Sequence, residues 1–108
     1  MDCLFCGIAN SSVDAKTVYQ DESVIAFHDI HPKAPVHILV IPRKHINSLA
    51  EASEEDQSLL GHMLLVVSKL AKDQGLTGYK TVINTGRDGG QVIDHLHVHL
   101  LGGQKFSE

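Results

Sequence analysis

Residues 94–101 read Asp94-His95-Leu96-His97-Val98-His99-Leu100-Leu101, and this stretch decides the fold of the chain. Histidines and apolar residues alternate with the two-residue period of a β-strand, in which successive side chains point to opposite faces. The three imidazoles are therefore predicted to share one face. A purely structural strand seldom carries three half-buried groups that titrate near neutral pH, because each ring needs a hydrogen-bond partner. The stretch predicts a strand with a chemical role.

A turn-rich loop lies just before this strand, with the sequence Thr85-Gly86-Arg87-Asp88-Gly89-Gly90-Gln91. Glycines let the backbone approach an anion closely, and backbone N–H groups can bind its oxygens. Neutral imidazole can act as a nucleophile and as a base. The loop and the histidine face together favour phosphate chemistry.

The composition indicates one globular domain over residues 1–108. Hydrophobic residues make up 43% of the chain and charged residues 20%, which is ordinary for a soluble protein. The formal charge of −4 argues against general nucleic-acid binding, which depends on Lys and Arg neutralising phosphates; a local basic site at residues 42–45 stays open. Neither an apolar run of about 18 residues nor a charged-then-apolar leader is present. We therefore expect a cytoplasmic protein without a membrane partner.

The order of predicted elements is typical of an antiparallel α+β domain. Strands are predicted at residues 16–19, 23–28, 36–41, 79–84 and 93–100, with a short helical or turn segment at 3–9. A long helix is predicted over 54–74, with Ser53 as its N-cap and Gly75 as a left-handed C-terminal cap. Its apolar stripe against the sheet consists of Leu60, Met63, Leu64, Val67, Leu70 and Ala71. Leu59 and Val66 widen this face, and a second subunit is expected to cover part of it.

The histidine strand carries a resemblance to a known family. The segment 95–101 matches the pattern His-φ-His-φ-His-φ-φ, where φ is apolar, and it is flanked by Gly89-Gly90-Gln91 and by Gly102-Gly103. From Leu4 to Gly103 the chain thus resembles the histidine triad family, and within it the purine nucleoside phosphoramidases. The resemblance implies a five-stranded antiparallel sheet with one long helix and a short N-terminal helix. It also implies a homodimer in which two sheets join and the helices pack together.

The homodimer implied by the resemblance would bury the extra apolar surface of the long helix. His62, near the start of that helix, would lie in the buried region. We favour a solvent-facing or packed role for His62 over a catalytic one.

The resemblance implies a role for each catalytic histidine. His97 would attack the α-phosphorus and form a covalent nucleotidyl-histidine. His99 would contact the phosphate or the leaving-group side. His37, predicted on the adjacent strand, would support the triad by hydrogen bonding, and a satisfied core histidine is the alternative.

The resemblance also implies a nucleotide pocket. Asn84, Gly90 and Gln91 would surround the phosphate and ribose, with turn formation as the alternative for Asn84 and Gln91. Asp29 would accept hydrogen bonds from both ribose hydroxyls, and His28 would contact the nucleoside or solvent. Four residues are expected either to form apolar walls around the base or to belong to the ordinary core: Phe5, Ile8, Phe27 and Ile30.

Two positions depart from the family pattern. Val92 stands where a serine is often found near the leaving group, so one hydrogen bond is lost and the leaving-group preference stays open. Asp94 stands where an aromatic residue commonly precedes the triad. Asp94 is expected either to cap the strand or to contact a ring of the site.

Cys3 and Cys6 form a Cys-x-x-Cys pair, which in a reducing compartment suggests a metal clip or a redox pair more than a structural disulfide. The resemblance extends to a zinc-containing subset of the family, whose further ligands would correspond to His45 and His95. It implies a structural zinc with no open coordination position. The alternative is a metal-free protein with two buried thiols.

The resemblance implies a hydrolase that cleaves the P–N bond of purine nucleoside 5′-phosphoramidates, releasing a nucleoside monophosphate and an amine. One alternative is a family member that acts on dinucleoside polyphosphates or acyl-adenylates, although residues 104–108 leave little chain for a second nucleotide pocket. The other alternative is a nucleotide-binding adaptor protein whose hydrolysis is incidental.

Overall fold

A computed structural model describes residues 3–107 and confirms the α+β class. Its helices and strands, in chain order, are α1 Leu4–Ala9, β1 Thr17–Gln20, β2 Val24–His28, β3 Val36–Pro42, α2 Gln57–Asp73, β4 Tyr79–Val82 and β5 Val98–Gly102. The five strands form one antiparallel sheet in the order β1-β2-β3-β5-β4. The predicted element order is therefore confirmed. Among the described residues, neither helix combines the length and apolar character needed to cross a membrane.

The last strand is shorter than the sequence predicts, because pairing begins only at Val98. Val40 pairs with Val98, so an extension of this register would bring Leu96 opposite Pro42, which has no N–H to donate. The Leu96 N–H instead donates to the Ile46 carbonyl at 2.7 Å. His95 and His97 thus precede the strand ladder, and only His99 lies within it.

The helix α2 begins three residues later than predicted, after a 3-10 turn over Glu54–Asp56. The Ser53 N–H donates to the Asp56 carboxylate at 3.0 Å, and this capping box supports the helix start. Gly75 ends the helix with a φ of +72°, as a left-handed cap requires.

One face of α2 packs against the sheet through Met63, Val66, Val67, Leu70 and Ala71. The prediction for Leu64 was wrong: its side chain is 49% exposed and lies beside Leu65, which is 71% exposed. Val66, predicted only to widen the face, belongs to the buried core instead.

The two faces of the sheet carry different cores. Leu96, Val98 and Leu100 pack with α2 on one face. On the opposite face, α1 covers a smaller cluster that includes Phe5, Ile8, Ile25, Phe27, Leu39 and Ile41. Alternation sends the triad histidines to this second face, away from the long helix.

Asp21 fixes the hairpin between β1 and β2. Its carboxylate accepts the backbone N–H groups of Ser23 and Val24, each at 2.9 Å, and the Tyr19 hydroxyl at 2.6 Å. His62 on α2 adds a contact at 2.6 Å. Burial opposes ionisation, but these hydrogen bonds hold the pKa of Asp21 well below its usual range. His62 is thus a packed surface residue that ties the helix to the hairpin.

Candidate active site

A cavity of about 470 Å³ opens on the α1 side of the sheet, a size typical of small-molecule sites. It brings together most of the residues that the sequence predicts for nucleotide binding and catalysis. Those that line it are Phe5, Ile8, Phe27, His28, Asp29, Ile30, Asn84, Gly90, Val92, His97 and His99.

His97 lines the cavity with a defined tautomer. Its Nδ1 lies 2.7 Å from the His95 carbonyl oxygen, and a carbonyl can only accept, so Nδ1 carries the proton. The lone pair of the neutral ring is therefore on Nε2. The ring is 7% exposed and packs edge-on against Phe5, with centroids 5.1 Å apart. A neutral imidazole held in this way can attack an electrophile.

His37 and His99 form a directed hydrogen-bond chain. The backbone N–H of Lys33 donates to His37 Nδ1 at 3.1 Å, which leaves the proton of neutral His37 on Nε2. That atom lies 2.9 Å from His99 Nδ1. His99 therefore accepts through Nδ1 and carries its own proton on Nε2. His37 is 3% exposed and does not line the cavity, which agrees with its predicted supporting position on β3.

The rings of this chain are neutral at pH 7. Burial lowers the pKa of His37, although the charge of Asp29 opposes the effect. Burial, with the nearby rings of His97 and His37, lowers the pKa of His99 to about 4. His99 in the free protein is thus a hydrogen-bond donor and not a cation.

The glycine-rich loop lines the cavity at Gly90. The φ of this residue is +87°, in the left-handed region that favours glycine. The Asn84 amide donates to the Gly89 carbonyl at 2.9 Å and also lines the cavity. Asn84 thus supports the loop by a hydrogen bond and lines the cavity, and its contact with phosphate or ribose stays a prediction.

Gln91 does not line the cavity, so its predicted contact with phosphate or ribose finds no support in this geometry. Its side-chain oxygen accepts the Gly86 N–H at 2.9 Å. Its amide nitrogen donates to the carbonyls of Asn47 and Ile93 at 2.7 and 2.9 Å. All of its polar groups are used inside the protein, which explains why the side chain is 3% exposed. Turn formation is the alternative that the structure favours.

Asp94 lies outside the triad strand and pairs with Arg87 at 2.9 Å. Arg87 also donates to the Gln91 carbonyl at 2.7 Å, so this pair closes the base of the glycine-rich loop. The partner of the Asp94 carboxylate is therefore an arginine of the loop, which neither alternative had named. Val92 lies at the rim of the cavity and is 82% exposed.

The loop between β2 and β3 forms the other side of the cavity. Asp29 Oδ1 accepts the His31 N–H at 2.8 Å, and Oδ2 lies 3.5 Å from His37 Nε2. His28 lines the cavity beside Asp29. Sequence reasoning missed His31 and Lys33, whose signal was their place on a loop next to the predicted ribose residue. It also missed Leu4, Asp14, Ala15, Leu39 and Ile93.

The apolar wall is formed by α1 and β2. Phe5 and Phe27 meet edge-to-face with centroids 5.6 Å apart, and Ile8 is 7% exposed beside them. These three residues belong to the core and line the cavity as well. Ile30 is 82% exposed at the mouth, where a bound base could cover it.

Cys3, Cys6, His45 and His95 come together, with their ligand atoms all within 4.8 Å of one another. Cys3 Sγ lies 3.2 Å from His95 Nδ1, and Cys6 Sγ lies 3.1 Å from His45 Nδ1. Tetrahedral zinc bonds to sulfur and nitrogen imply a separation of roughly 3.6 Å between such ligands. The donor set and its spacing therefore fit a zinc ion.

Hydrogen bonds orient both imidazoles of this cluster for metal binding. His95 Nε2 lies 2.8 Å from the Pro42 carbonyl, and His45 Nε2 lies 2.6 Å from the Asn47 side-chain oxygen. Both Nδ1 atoms then present lone pairs to the thiols, as metal-binding histidines do. Burial and the adjacent Cys3 raise the pKa of Cys6.

Asp29, His37 and His99 form a second group with metal-ligand atoms close together, but it does not fit a metal. The Lys33 N–H already donates to His37 Nδ1. A metal on Nε2 would need the proton on Nδ1, where it would face that donor. This group is therefore a hydrogen-bond chain.

The chain is similar to known proteins over nearly all of its length. A protein-family model described as DcpS_C, scavenger mRNA decapping enzyme C-term binding, matches residues 2–107. HitA from Neisseria gonorrhoeae is 52% identical over 102 residues, which are 94% of this chain and 95% of HitA.

Solved structures give the same result. A HIT family hydrolase from Legionella pneumophila Philadelphia 1 is 42% identical, with a TM-score of 0.97 over 98% of this chain and 96% of that chain. A zinc-bound histidine triad family protein from Mycobacterium smegmatis is 27% identical, with a TM-score of 0.83 over 96% of this chain and 76% of that chain. With its three histidines on the cavity side of the sheet, this chain belongs to the histidine triad family of nucleotide-binding hydrolases.

Proposed function

We propose that the protein cleaves the P–N bond of purine nucleoside 5′-phosphoramidates and releases a nucleoside monophosphate and an amine. The observation that carries the proposal is the fixed tautomer of His97, which places a lone pair on Nε2 of a ring that lines the cavity. A phosphorus atom in the cavity is the electrophile that such a nitrogen can attack.

The reaction has two displacement steps. His97 Nε2 forms a bond to the α-phosphorus while the P–N bond breaks. The electron pair of the P–N bond leaves with the amine nitrogen, which takes up a proton. The Nδ1–H bond to the His95 carbonyl stabilises the positive ring of the nucleotidyl-histidine. Water then bonds to phosphorus, the Nε2–P bond breaks, and the water proton is released.

His99 and the glycine-rich loop are proposed to hold the phosphate. The His99 Nε2–H donates to a phosphate oxygen, and Asn84 and Gly90, which line the same cavity, contribute the side-chain amide and the backbone. Charge that develops on the phosphate oxygens is stabilised best by donors that are already oriented. The amine nitrogen takes up its proton from solvent water, because the neutral His99 ring accepts from His37 through Nδ1 and only donates a hydrogen bond through Nε2.

The nucleoside is proposed to occupy the other end of the cavity. The Asp29 carboxylate accepts from the ribose hydroxyls, while Phe5, Phe27 and Ile30 pack on the base. Few polar groups line that wall, so adenine and guanine are discriminated weakly. His28 contacts the nucleoside at its edge.

A structural zinc held by Cys3, Cys6, His45 and His95 is part of the proposal. When bound, the ion fixes the four side chains and supplies no chemistry to the reaction. The apolar surface around Leu64 and Leu65 supports a homodimer through α2, and we propose a cytoplasmic location. Nucleic acid and membrane are not expected partners.

A second candidate is cleavage of the phosphoanhydride bond of a dinucleoside polyphosphate or of the mixed carboxylic–phosphoric anhydride bond of an acyl-adenylate. The observation that favours it is the family model, whose description names a decapping enzyme. The same His97 would act, with a nucleotide or an acid as the leaving group.

Hydrolysis of an adenosine 5′-phosphoramidate with a fluorescent amine tests the proposal, with diadenosine polyphosphate as a parallel substrate. We expect rapid amine release by the wild type, loss in His97→Ala, and retention in the matched control His62→Ala. Activity on the polyphosphate alone selects the second candidate. If the wild type and His97→Ala bind adenosine monophosphate but hydrolyse neither substrate, the protein is a binding adaptor.

A further inference from the structure

Cys3 and the helix α1 that follows it hold two of the four residues of the metal cluster and three residues that line the cavity. Cys3 accepts the Cys6 N–H at 3.2 Å and caps the helix, while Phe5 and Ile8 line the nucleotide cavity. The helix has six residues, too few to be stable without tertiary contacts. Whatever holds the two cysteines therefore also determines the position of the cavity wall.

Phe5 lies at the junction of the two sites. Its ring centroid is 6.0 Å from that of His95, a member of the metal cluster, and 5.1 Å from that of His97. It is also 5.6 Å from the ring of Phe27, and its side chain is 3% exposed. A shift of this ring would change the metal cluster and the cavity together, since close-packed side chains transmit displacement.

We propose that Phe5 couples the Cys3–Cys6–His45–His95 cluster to the cavity, so that Zn²⁺ and a purine nucleoside monophosphate bind cooperatively. The inference rests on the proposed function, because it takes the cavity as the nucleotide site. Phe5 acts as a positioning residue through His97 and the base wall. Coupling between binding sites is reciprocal, so each ligand strengthens the other by the same factor.

The test measures binding and needs no catalysis. The dissociation constant of adenosine monophosphate is measured by calorimetry for zinc-loaded and chelator-stripped protein. The affinity for Zn²⁺ is measured by competition with a chromophoric chelator, with and without adenosine monophosphate. We expect both affinities of the wild type to change by the same factor of about ten, within the usual range of allosteric coupling.

Two variants separate coupling from simple weakening. Phe5→Leu keeps an apolar side chain but removes the ring contacts, and we expect its coupling factor to fall to about two or less while Zn²⁺ still binds. Ile30→Ala is the matched control, because Ile30 lines the cavity but is 82% exposed and belongs to the loop between β2 and β3, not to α1. It weakens nucleotide binding equally with and without zinc.

Three results would overturn the inference: equal nucleotide affinity in the loaded and stripped wild type, an undiminished factor in Phe5→Leu, or no binding of Zn²⁺. If removal of zinc unfolds the chain, the wild type and Phe5→Leu show the same coupling factor, and this equality also overturns the inference. If the zinc-loaded wild type fails to bind adenosine monophosphate, the proposed function falls as well. A nucleotide affinity that is the same with and without zinc overturns the proposed coupling but not the proposed function.

Discussion

In the proposed mechanism His37 supports catalysis through its two hydrogen bonds, and a pair of substitutions can separate these hydrogen bonds from the volume of the side chain. His37→Leu removes the acceptor for the Lys33 N–H and the donor to His99 Nδ1. His37→Gln retains one acceptor and one donor on a side chain of similar length. We expect kcat/KM and the free energy of unfolding to fall in the leucine variant and to fall less in the glutamine variant.

The magnitude follows from the groups left unpaired. A buried donor or acceptor without a partner costs about 1–3 kcal/mol, and in His37→Leu the donor Lys33 N–H and the acceptor His99 Nδ1 both lose a part-buried hydrogen bond. We expect a loss of about 2–4 kcal/mol in the free energy of unfolding. If the free orientation of the His99 ring costs about 1–2 kcal/mol in the transition state, kcat/KM falls roughly 5- to 30-fold.

The assay combines three measurements: chemical denaturation, phosphoramidate kinetics and ¹⁵N chemical shifts of the imidazole nitrogens. The shifts report directly which nitrogen of His99 carries the proton. In the wild type we expect the proton on Nε2, and in His37→Leu a mixture of tautomers. Unchanged kcat/KM and an unchanged His99 tautomer in His37→Leu would refute the reasoning.

Three further predictions concern the loop, the pH and the metal. Gln91→Leu leaves the Gly86 N–H and two carbonyls unpaired, so thermal unfolding should show a loss of about 2–4 kcal/mol; wild-type stability would contradict the structural role. The His99 pKa is about 4 in the folded chain against an ordinary value of 6.5, so between these values only the unfolded chain binds the proton and stability falls as the pH falls. Urea titrations at pH 7 and 4.5 should show this as up to about 3 kcal/mol, with a weaker dependence in His99→Gln; an equal dependence in both proteins would exclude His99 as its source. Chelation should lower the melting temperature of the wild type but not of Cys6→Ser, and equal shifts would point to an effect unrelated to the cluster.

The fold was predictable because its periodicities are strong. Alternation over His95–Leu100 places histidines and apolar residues on opposite faces, and the stripe of α2 has the helical period of three and four residues. The exceptions have local causes. Pro42 delays the start of β5, and Leu64 lies just outside the buried stripe, which sequence spacing alone cannot resolve.

The residues of the site were predictable where the motif supplied their types. The partner of each side chain was less predictable, because hydrogen bonds within the protein decide it. A buried glutamine with three internal partners and a glutamine facing phosphate have the same sequence, so the position of Gln91 required the structure. The same holds for Asp94, whose partner Arg87 comes from within the loop. The tautomers of His37, His97 and His99 depend on backbone groups that no side-chain pattern encodes.

The most direct test of the central claim is to trap the covalent intermediate on His97. The wild type is mixed with an adenosine 5′-phosphoramidate, quenched rapidly without acid, and digested for peptide mass spectrometry. We predict one adenylyl group on the peptide that contains His97, localised to that residue by fragmentation and absent from His97→Ala. An adduct on another residue, or full turnover by His97→Ala, would contradict the account.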